Sequence, residues 1–229
     1  MTHGWREFMQ RCLYRAECRE GCGPAAFLGS QVELLNERMD WLGISWLSIF
    51  QDGQGLFLYY ECSGKEAQPE QLFPGALEIL KVWPGGEYPR MWVPMMDIFH
   101  YQQPVSGQHW KRNQIPGAPY GRLAVLKPEQ VSSYVYYHYQ YQEERPGDGD
   151  KYGIIGLHEN LLFFYSELPA TVEPAPYKGK LTTNLRPEQW GEVMEPHFIK
   201  WKNVEPDQEI WKKLTPVLTI TLPQRGKGE

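Results

Sequence analysis

The residues best suited to do chemistry are a tyrosine and a histidine four positions apart, Tyr134 and His138. On an α-helix such residues share one face, so both side chains can reach a single pocket. A histidine with a pKa near ~6.5 can donate or accept a proton at neutral pH, as general acid–base catalysis requires. A lone tyrosine or histidine on a helix face is more often a packing residue, and that alternative stays open at this point.

The segment that carries this pair contains conflicting structural signals. Residues 131–141 are rich in tyrosine and valine, which favour strands. The preceding Pro128-Glu-Gln is typical of the first turn of a helix, and tertiary context often overrides local propensity. We therefore predict a helix over 128–144.

Aromatic residues are abundant, with nine Trp and fourteen Tyr, and their flat rings suit both cores and the faces of sugars. Three tryptophans near the end of the chain are candidates to stack on a ligand, and one carboxylate is a candidate to bind its hydroxyl groups: Trp190, Trp201, Trp211 and Glu195. A tryptophan on an amphipathic helix usually belongs to the core, so the packing alternative applies to each of them.

A gapless internal repeat organises the elements that must position these residues. Residues 46–61 align with 152–167, and each copy reads as a strand, a polar turn and a second strand. Around each hairpin the order is strand, helix, hairpin, second helix and closing strand, which is the βαββαβ order of a ferredoxin-like unit. The predicted closing strands are 96–101 and 215–222. In the first copy, Trp92 and Asp97 match the places of Trp190 and Glu195.

The sequence thus predicts an α+β fold with two ferredoxin-like βαββαβ units in one chain, packed as a pseudo-dimer of the dimeric α/β-barrel type. We place the first unit at 1–110, a linker rich in Pro and Gly at 111–120, the second unit at 121–222 and a flexible tail at 223–229.

Composition narrows the function classes. A net charge of −5 with scattered basic residues predicts no nucleic-acid partner, and no apolar run reaches the ~20 residues that span a bilayer. The first residues lack a secretory signal, so we expect a cytoplasmic protein. Its four cysteines are expected to be reduced. We expect neither a metal site nor a cofactor, because the sequence has no metal-ligand cluster and no Gly-rich phosphate loop.

Three local motifs resemble the L-rhamnose mutarotase family. They are the hairpin 48–61, the run Trp92-Val-Pro-Met-Met-Asp-Ile98, and the spacing Pro128, Tyr134, His138. The resemblance implies a fused form of that family's dimer, with Tyr134 and His138 as its catalytic pair. The matching first-copy stretch, 24–42, contains neither Tyr nor His, so we expect its site to be degenerate.

The resemblance implies a cofactor-free isomerase that interconverts the anomers of a monosaccharide, with His138 and Tyr134 transferring the protons. It also implies a monomer, since the fused pair already provides the family's subunit interface. Two alternatives stay open. The first is a carbohydrate-binding or regulatory protein without catalysis, and the second is a haem-binding protein or cofactor-free oxygenase of the same fold.

Overall fold

The computed structural model describes residues 9–112, 117–144 and 147–223. Part of the predicted linker, 113–116, and the predicted tail beyond 223 lie outside the described residues. The described chain forms two compact units. Unit 1 contains the residues up to Pro94, Pro104–Arg112 and the residues from Pro216 onward, and unit 2 contains Met95–Gln103 and the residues from 117 to Thr215.

Unit 1 is an antiparallel sheet with helices on one face, and its strand order is β4-β1-β3-β2. The predicted hairpin is present as β2 and β3, which pair from Asp52↔Gly55 at the turn. Gly53 in this turn has φ +54°, a left-handed conformation that glycine adopts without steric cost. The elements are β1 (Met9–Glu17), α1 (Pro24–Ser30), α2 (Val32–Trp41), β2 (Ile44–Asp52), β3 (Gly55–Ser63), α3 (Pro69–Leu72), a 3₁₀ turn (Ala76–Glu78) and β4 (Val93–Pro94).

Unit 2 is also an antiparallel sheet, in the order β6-β9-β8-β5, with β11 and the start of β12 paired to β6. Strands β7 and β10 form a separate two-stranded ribbon. The elements are β5 (Met96–His100), β6 (Ala118–Leu126), α4 (Val131–Glu144), β7 (Gly149–Asp150), β8 (Ile154–His158), β9 (Leu161–Leu168), β10 (Val172–Glu173), α5 (Trp190–Met194), β11 (Phe198–Ile199) and β12 (Lys212–Thr221). Three 3₁₀ turns accompany them: Pro128–Gln130, Glu195–His197 and Pro206–Gln208.

The two predicted closing strands each lie in the unit formed mainly by the other half of the chain. Strand β5 pairs with β8 of unit 2 along Met96↔Leu157 to His100↔Ile154. The residues of β12 from Pro216 continue the sheet of unit 1 beside β2, where Ile220 is buried in the core. A strand's alternation shows that one of its faces is buried, but it does not say which sheet edge the strand joins.

One face of each sheet packs against helices. In unit 1, Leu35 and Met39 of α2 are fully buried. In unit 2, Tyr134 of α4 belongs to a core with residues of β5, β6, β8, β9 and β11. The mixed α+β class and the helix at 128–144 are confirmed, the latter as a 3₁₀ turn that runs into α4. No helix in the described ranges is long and apolar enough to cross a membrane.

Replacing Ile98 by Ala should destabilise unit 2, although the residue belongs to the first half of the sequence. Ile98 is 8% exposed in the core of unit 2, so losing its side chain should lower the free energy of unfolding by about 2–4 kcal/mol. Hydrogen exchange should then accelerate in β8 and β9. Met96→Ala, at a residue 57% exposed on the same strand, is the control. Faster exchange confined to β1–β3 would contradict the assignment of β5 to unit 2.

Candidate functional site

Helix α4 places Tyr134 and His138 between itself and the sheet of unit 2. Tyr134 is 1% and His138 5% exposed, and their ring centroids lie 3.9 Å apart. The imidazole also meets the rings of Phe99 at 5.3 Å and Trp190 at 5.0 Å. Tyr141 contacts both of these rings, at 5.8 and 5.0 Å. We call the rings of Phe99, Tyr134, Tyr141 and Trp190 the aromatic cage of His138.

The helix forms because its aromatic residues recur at helical spacing. Tyr134, His138 and Tyr141 follow at i, i+4 and i+7 and face the sheet, while Tyr136 and Tyr139 between them are exposed. Covering a sheet with one ring-lined face removes a large apolar area from water, and this burial outweighs the strand preference of the individual residues.

The end of α4 holds the loop that leads to Trp190. The Glu144 carboxylate accepts hydrogen bonds from the backbone N–H groups of Leu185 and Arg186, at 2.8 and 3.2 Å, and from the Thr183 hydroxyl at 2.7 Å. Some desolvation acts against these bonds, but they hold the pKa of Glu144 at about 2. The ionised carboxylate therefore fixes the loop shortly before α5, the short helix that begins with Trp190.

Hydrogen bonding sets the protonation of His138. Its Nδ1 lies 2.9 Å from the Tyr134 carbonyl oxygen, which only accepts, so Nδ1 carries the proton. Burial lowers the pKa of His138 to about 4, with His197 adding to the decrease and the bond to Tyr134 opposing it. The imidazole is therefore neutral at pH 7, and Nε2 holds a lone pair that has no hydrogen-bond partner among the described residues.

A neutral imidazole of this kind accepts a hydrogen bond but is a poor acid. With a pKa of about 4, only about one molecule in a thousand carries the second proton at pH 7. Burial also raises the pKa of the Tyr134 phenol, which stays protonated. The chemistry available at this site is recognition of an O–H or N–H donor by Nε2 inside an apolar, ring-lined space.

Of the three candidate tryptophans, Trp190 meets His138 directly. Trp211 packs on Phe164 and Phe198, at 6.1 and 5.9 Å between ring centroids. Trp201 donates its indole N–H to the Leu123 carbonyl at 3.3 Å, and the Lys212 ammonium lies 5.1 Å from its ring. Both residues are also partly exposed, and their role as substrate-binding residues stays a prediction.

The predicted carboxylates each interact with a neighbouring side chain. Glu195 is exposed and forms an ion pair with Lys200 at 2.8 Å, which lowers the pKa of Glu195. Asp97 accepts a hydrogen bond from His100 Nδ1 at 2.8 Å. Its predicted companion Trp92 is buried in the core of unit 1 against Phe73, whereas Asp97 belongs to unit 2. The proposal that Trp92 and Asp97 form a degenerate counterpart site stays a prediction.

A small cavity in unit 2 is lined in part by Phe99 and Tyr141. Its volume is about 20 Å³, and its walls include the polar residues His100, Gln102 and Gln142. A space of this size holds one water molecule.

Unit 1 contains a buried network of charged residues that we did not predict from the sequence. Glu61 is fully buried and accepts two hydrogen bonds from Arg112, at 2.7 and 2.8 Å, and one from the Tyr59 hydroxyl at 2.6 Å. Burial raises the pKa of Glu61, but the bonds to Arg112 and Tyr59 outweigh it and the pKa is lowered. The sequence does contain one signal for this network, because the Tyr-x-Glu pattern of Tyr59 and Glu61 recurs in the second copy at Tyr165 and Glu167. Glu167 is also buried.

Comparisons with known proteins provide little evidence about the function of this chain. No family model matches the chain, and no curated protein matches it. Two solved structures do, a "putative monooxygenase" from Lactobacillus acidophilus and another from Fusobacterium nucleatum. Both are 10% identical, with TM-scores of 0.39 and 0.40; the alignments cover 94% and 95% of this chain and 97% and 95% of theirs. A likeness this distant carries no information about activity.

The sugar mutarotase function predicted from the sequence is wrong. The physical reason lies in His138, which is neutral and enclosed by rings and so lacks the proton that must reach the sugar's ring oxygen.

Breaking the buried ion pair should be costly. Arg112→Met leaves Glu61 uncompensated at 0% exposure, so we expect the free energy of unfolding to fall by about 3–5 kcal/mol in chemical denaturation. The double variant with Glu61→Gln should lose less than the two single changes added together. Lys200→Met breaks an ion pair of two half-exposed side chains and should cost less than about 1 kcal/mol. Strict additivity at Glu61 and Arg112 would show that the pair is not coupled.

Stability should fall in acid through His138. Its pKa is about 4 in the folded chain against 6.5 ordinarily, so the unfolded chain binds more protons between these values. The stabilisation is complete above pH 6.5 and is lost as the pH falls through 4, which amounts to about 3 kcal/mol. His138→Phe should flatten this part of the pH dependence in denaturant titrations. An unchanged profile in His138→Phe would contradict the lowered pKa.

Proposed function

We propose that the aromatic cage of His138 binds a small planar aromatic compound that carries one hydroxyl group. The observation that supports this most directly is the Nε2 lone pair of His138, which has no hydrogen-bond partner among the described residues and belongs to a ring packed against Phe99 and Trp190. A hydroxyl donor on the ligand would satisfy it, and the ligand's rings would pack on Phe99 and Tyr141.

Trp190 is the cage member best placed to move aside. It is partly exposed and belongs to α5, a helix of five residues whose N-cap, Gln189, makes no side-chain capping bond. A short helix gains little stability from its own backbone and depends on its packing. A ligand ring that takes the place of the indole would restore the contacts with His138 and Tyr141 that Trp190 makes at 5.0 Å.

The lowered pKa of His138 favours binding over proton-transfer catalysis. A base whose conjugate acid has a pKa of about 4 removes little of the proton from a phenol, whose pKa is near ~10. A cofactor-free oxygenase requires a base that converts its substrate to an anion. His138 is too weak a base to support that alternative. Binding through a hydrogen bond needs only the neutral form.

Haem fits this site poorly. The Nδ1–H bond to a backbone carbonyl suits a histidine that ligates iron, because it fixes the ring and its tautomer. The imidazole, however, is enclosed by Phe99, Tyr134 and Trp190 at 3.9–5.3 Å, and removing one indole frees far less space than a haem macrocycle occupies.

We further propose that the two units are copies of one βαββαβ fold. Their strand orders, taken separately, support this: β4-β1-β3-β2 followed by the end of β12, and β11-β6-β9-β8 followed by β5. The hairpins occupy the same place in both orders. The ferredoxin-like description, the barrel-type pairing, the monomeric state and the resemblance to the L-rhamnose mutarotase family stay predictions.

Two isosteric probes test the binding proposal. 2-Naphthol and 2-methylnaphthalene differ by a hydroxyl in place of a methyl, so we expect about tenfold tighter binding of the naphthol, which corresponds to one net hydrogen bond. His138→Phe keeps a ring at the position and removes the acceptor, so the two probes should bind it equally. NMR titration of the indole signals gives both affinities.

Tyr136→Phe is the matched control, because Tyr136 lies on the same helix and is 58% exposed. It should keep the tenfold preference. Failure of both probes to bind the parent protein, or equal affinities in the parent, would refute the proposed role of Nε2.

A further inference from the structure

A second histidine in unit 2, His197, makes a contact that is not apparent from the sequence. His197 Nε2 lies 2.7 Å from the hydroxyl oxygen of Ser133, which is 64 residues away in sequence. His197 is 5% exposed and ends the 3₁₀ turn Glu195–His197, while Ser133 lies in the first turn of α4 and is partly exposed. A serine hydroxyl at hydrogen-bond distance from an imidazole is the core of a nucleophile–base pair.

The imidazole of His197 is oriented by a third group. Its Nδ1 lies 3.2 Å from the Met194 carbonyl oxygen, which only accepts, so the neutral ring carries its proton on Nδ1. Nε2 then holds the lone pair and accepts the Ser133 hydroxyl proton. The Met194 carbonyl thus acts as a positioning group that fixes the tautomer a general base requires.

The hydroxyl of Ser133 has a competing acceptor. Its oxygen also lies 3.1 Å from the Gln130 carbonyl oxygen and 3.1 Å from the Gln130 side-chain oxygen. The single hydroxyl proton can go to only one acceptor at a time. If it goes to Gln130, the serine is a structural residue; if it goes to His197, the serine is activated. The two states differ in their reactivity toward electrophiles.

An open groove of about 490 Å³ runs beside the pair. Pro196 and Phe198, the neighbours of His197 on either side, line it together with Lys127, and the Lys127 backbone N–H donates to the His197 carbonyl at 2.8 Å. The Lys127 ammonium lies 2.7 Å from the Pro196 carbonyl oxygen, which places a positive charge on the wall. The groove has the size for a small ester, with an apolar wall at Phe198, and its charged lining consists of two lysines, Lys127 and Lys200, and two carboxylates, Glu192 and Glu195.

We propose that Ser133 and His197 form a nucleophilic dyad that accepts the acyl group of small carboxylic esters. The Ser133 oxygen attacks the ester carbonyl carbon while its proton passes to His197 Nε2. The bond from this carbon to the alkoxy oxygen then breaks, and the leaving alcohol takes the proton from His197. Water attacks the resulting acyl-serine in the same way, releasing the carboxylic acid and restoring the hydroxyl.

A fluorophosphonate probe tests the dyad on the full-length protein. The serine oxygen forms a bond to phosphorus, the phosphorus–fluorine bond breaks, and fluoride leaves together with the serine proton. We expect one probe per chain by intact mass, located at Ser133 by peptide mapping. Ser133→Ala should lower the labelling rate at least 100-fold, and His197→Gln at least tenfold.

Ser132→Ala is the matched control, because Ser132 is the neighbouring residue and is exposed. It should label at the parent rate, and p-nitrophenyl acetate hydrolysis should follow the same order among the variants. If a variant misfolds, peptide mapping of the labelled parent protein alone shows whether Ser133 is the residue that reacts. Absence of labelling in the parent, labelling at another residue, or equal labelling of Ser133→Ala would overturn the proposal.

Discussion

The candidate site depends on the burial of one imidazole, that of His138, on the face of α4 that packs against the sheet of unit 2. His138 is enclosed by rings, and the cost of charging it there keeps it neutral. Its hydrogen bond to the Tyr134 carbonyl then decides which nitrogen carries the proton. Tautomer, charge and surroundings together turn a residue type associated with proton transfer into a hydrogen-bond acceptor.

The same constraint explains why Trp190 matters more than the other tryptophans. The ring-lined face of α4 needs a cover, and α5 supplies it after a loop that Glu143 and Glu144 hold to the end of α4. The cover is a short helix that packs through Trp190 and the buried Met194, so the buried imidazole lies against a helix that gains little stability from its own backbone.

Much of the fold could be predicted from the sequence, because hairpins and amphipathic helices leave periodic patterns. The β2–β3 hairpin and α4 are examples, and the Tyr134/His138 pair could be placed on one helix face from spacing alone. The sequence could not predict which unit each closing strand joins. The alternation of buried and exposed residues in β5 and in the end of β12 would be the same at either sheet edge. The charge state of His138 was also out of reach, because it depends on Phe99 and Trp190, which are distant in sequence.

The most direct test of this account is a pH titration of the His138 ring nitrogens by ¹⁵N NMR, with His138 assigned by comparison with His138→Phe. The account predicts a neutral ring with the proton on Nδ1 at pH 7, unchanged until the pH approaches 4. A proton on Nε2, or titration near the ordinary value of ~6.5, would contradict it.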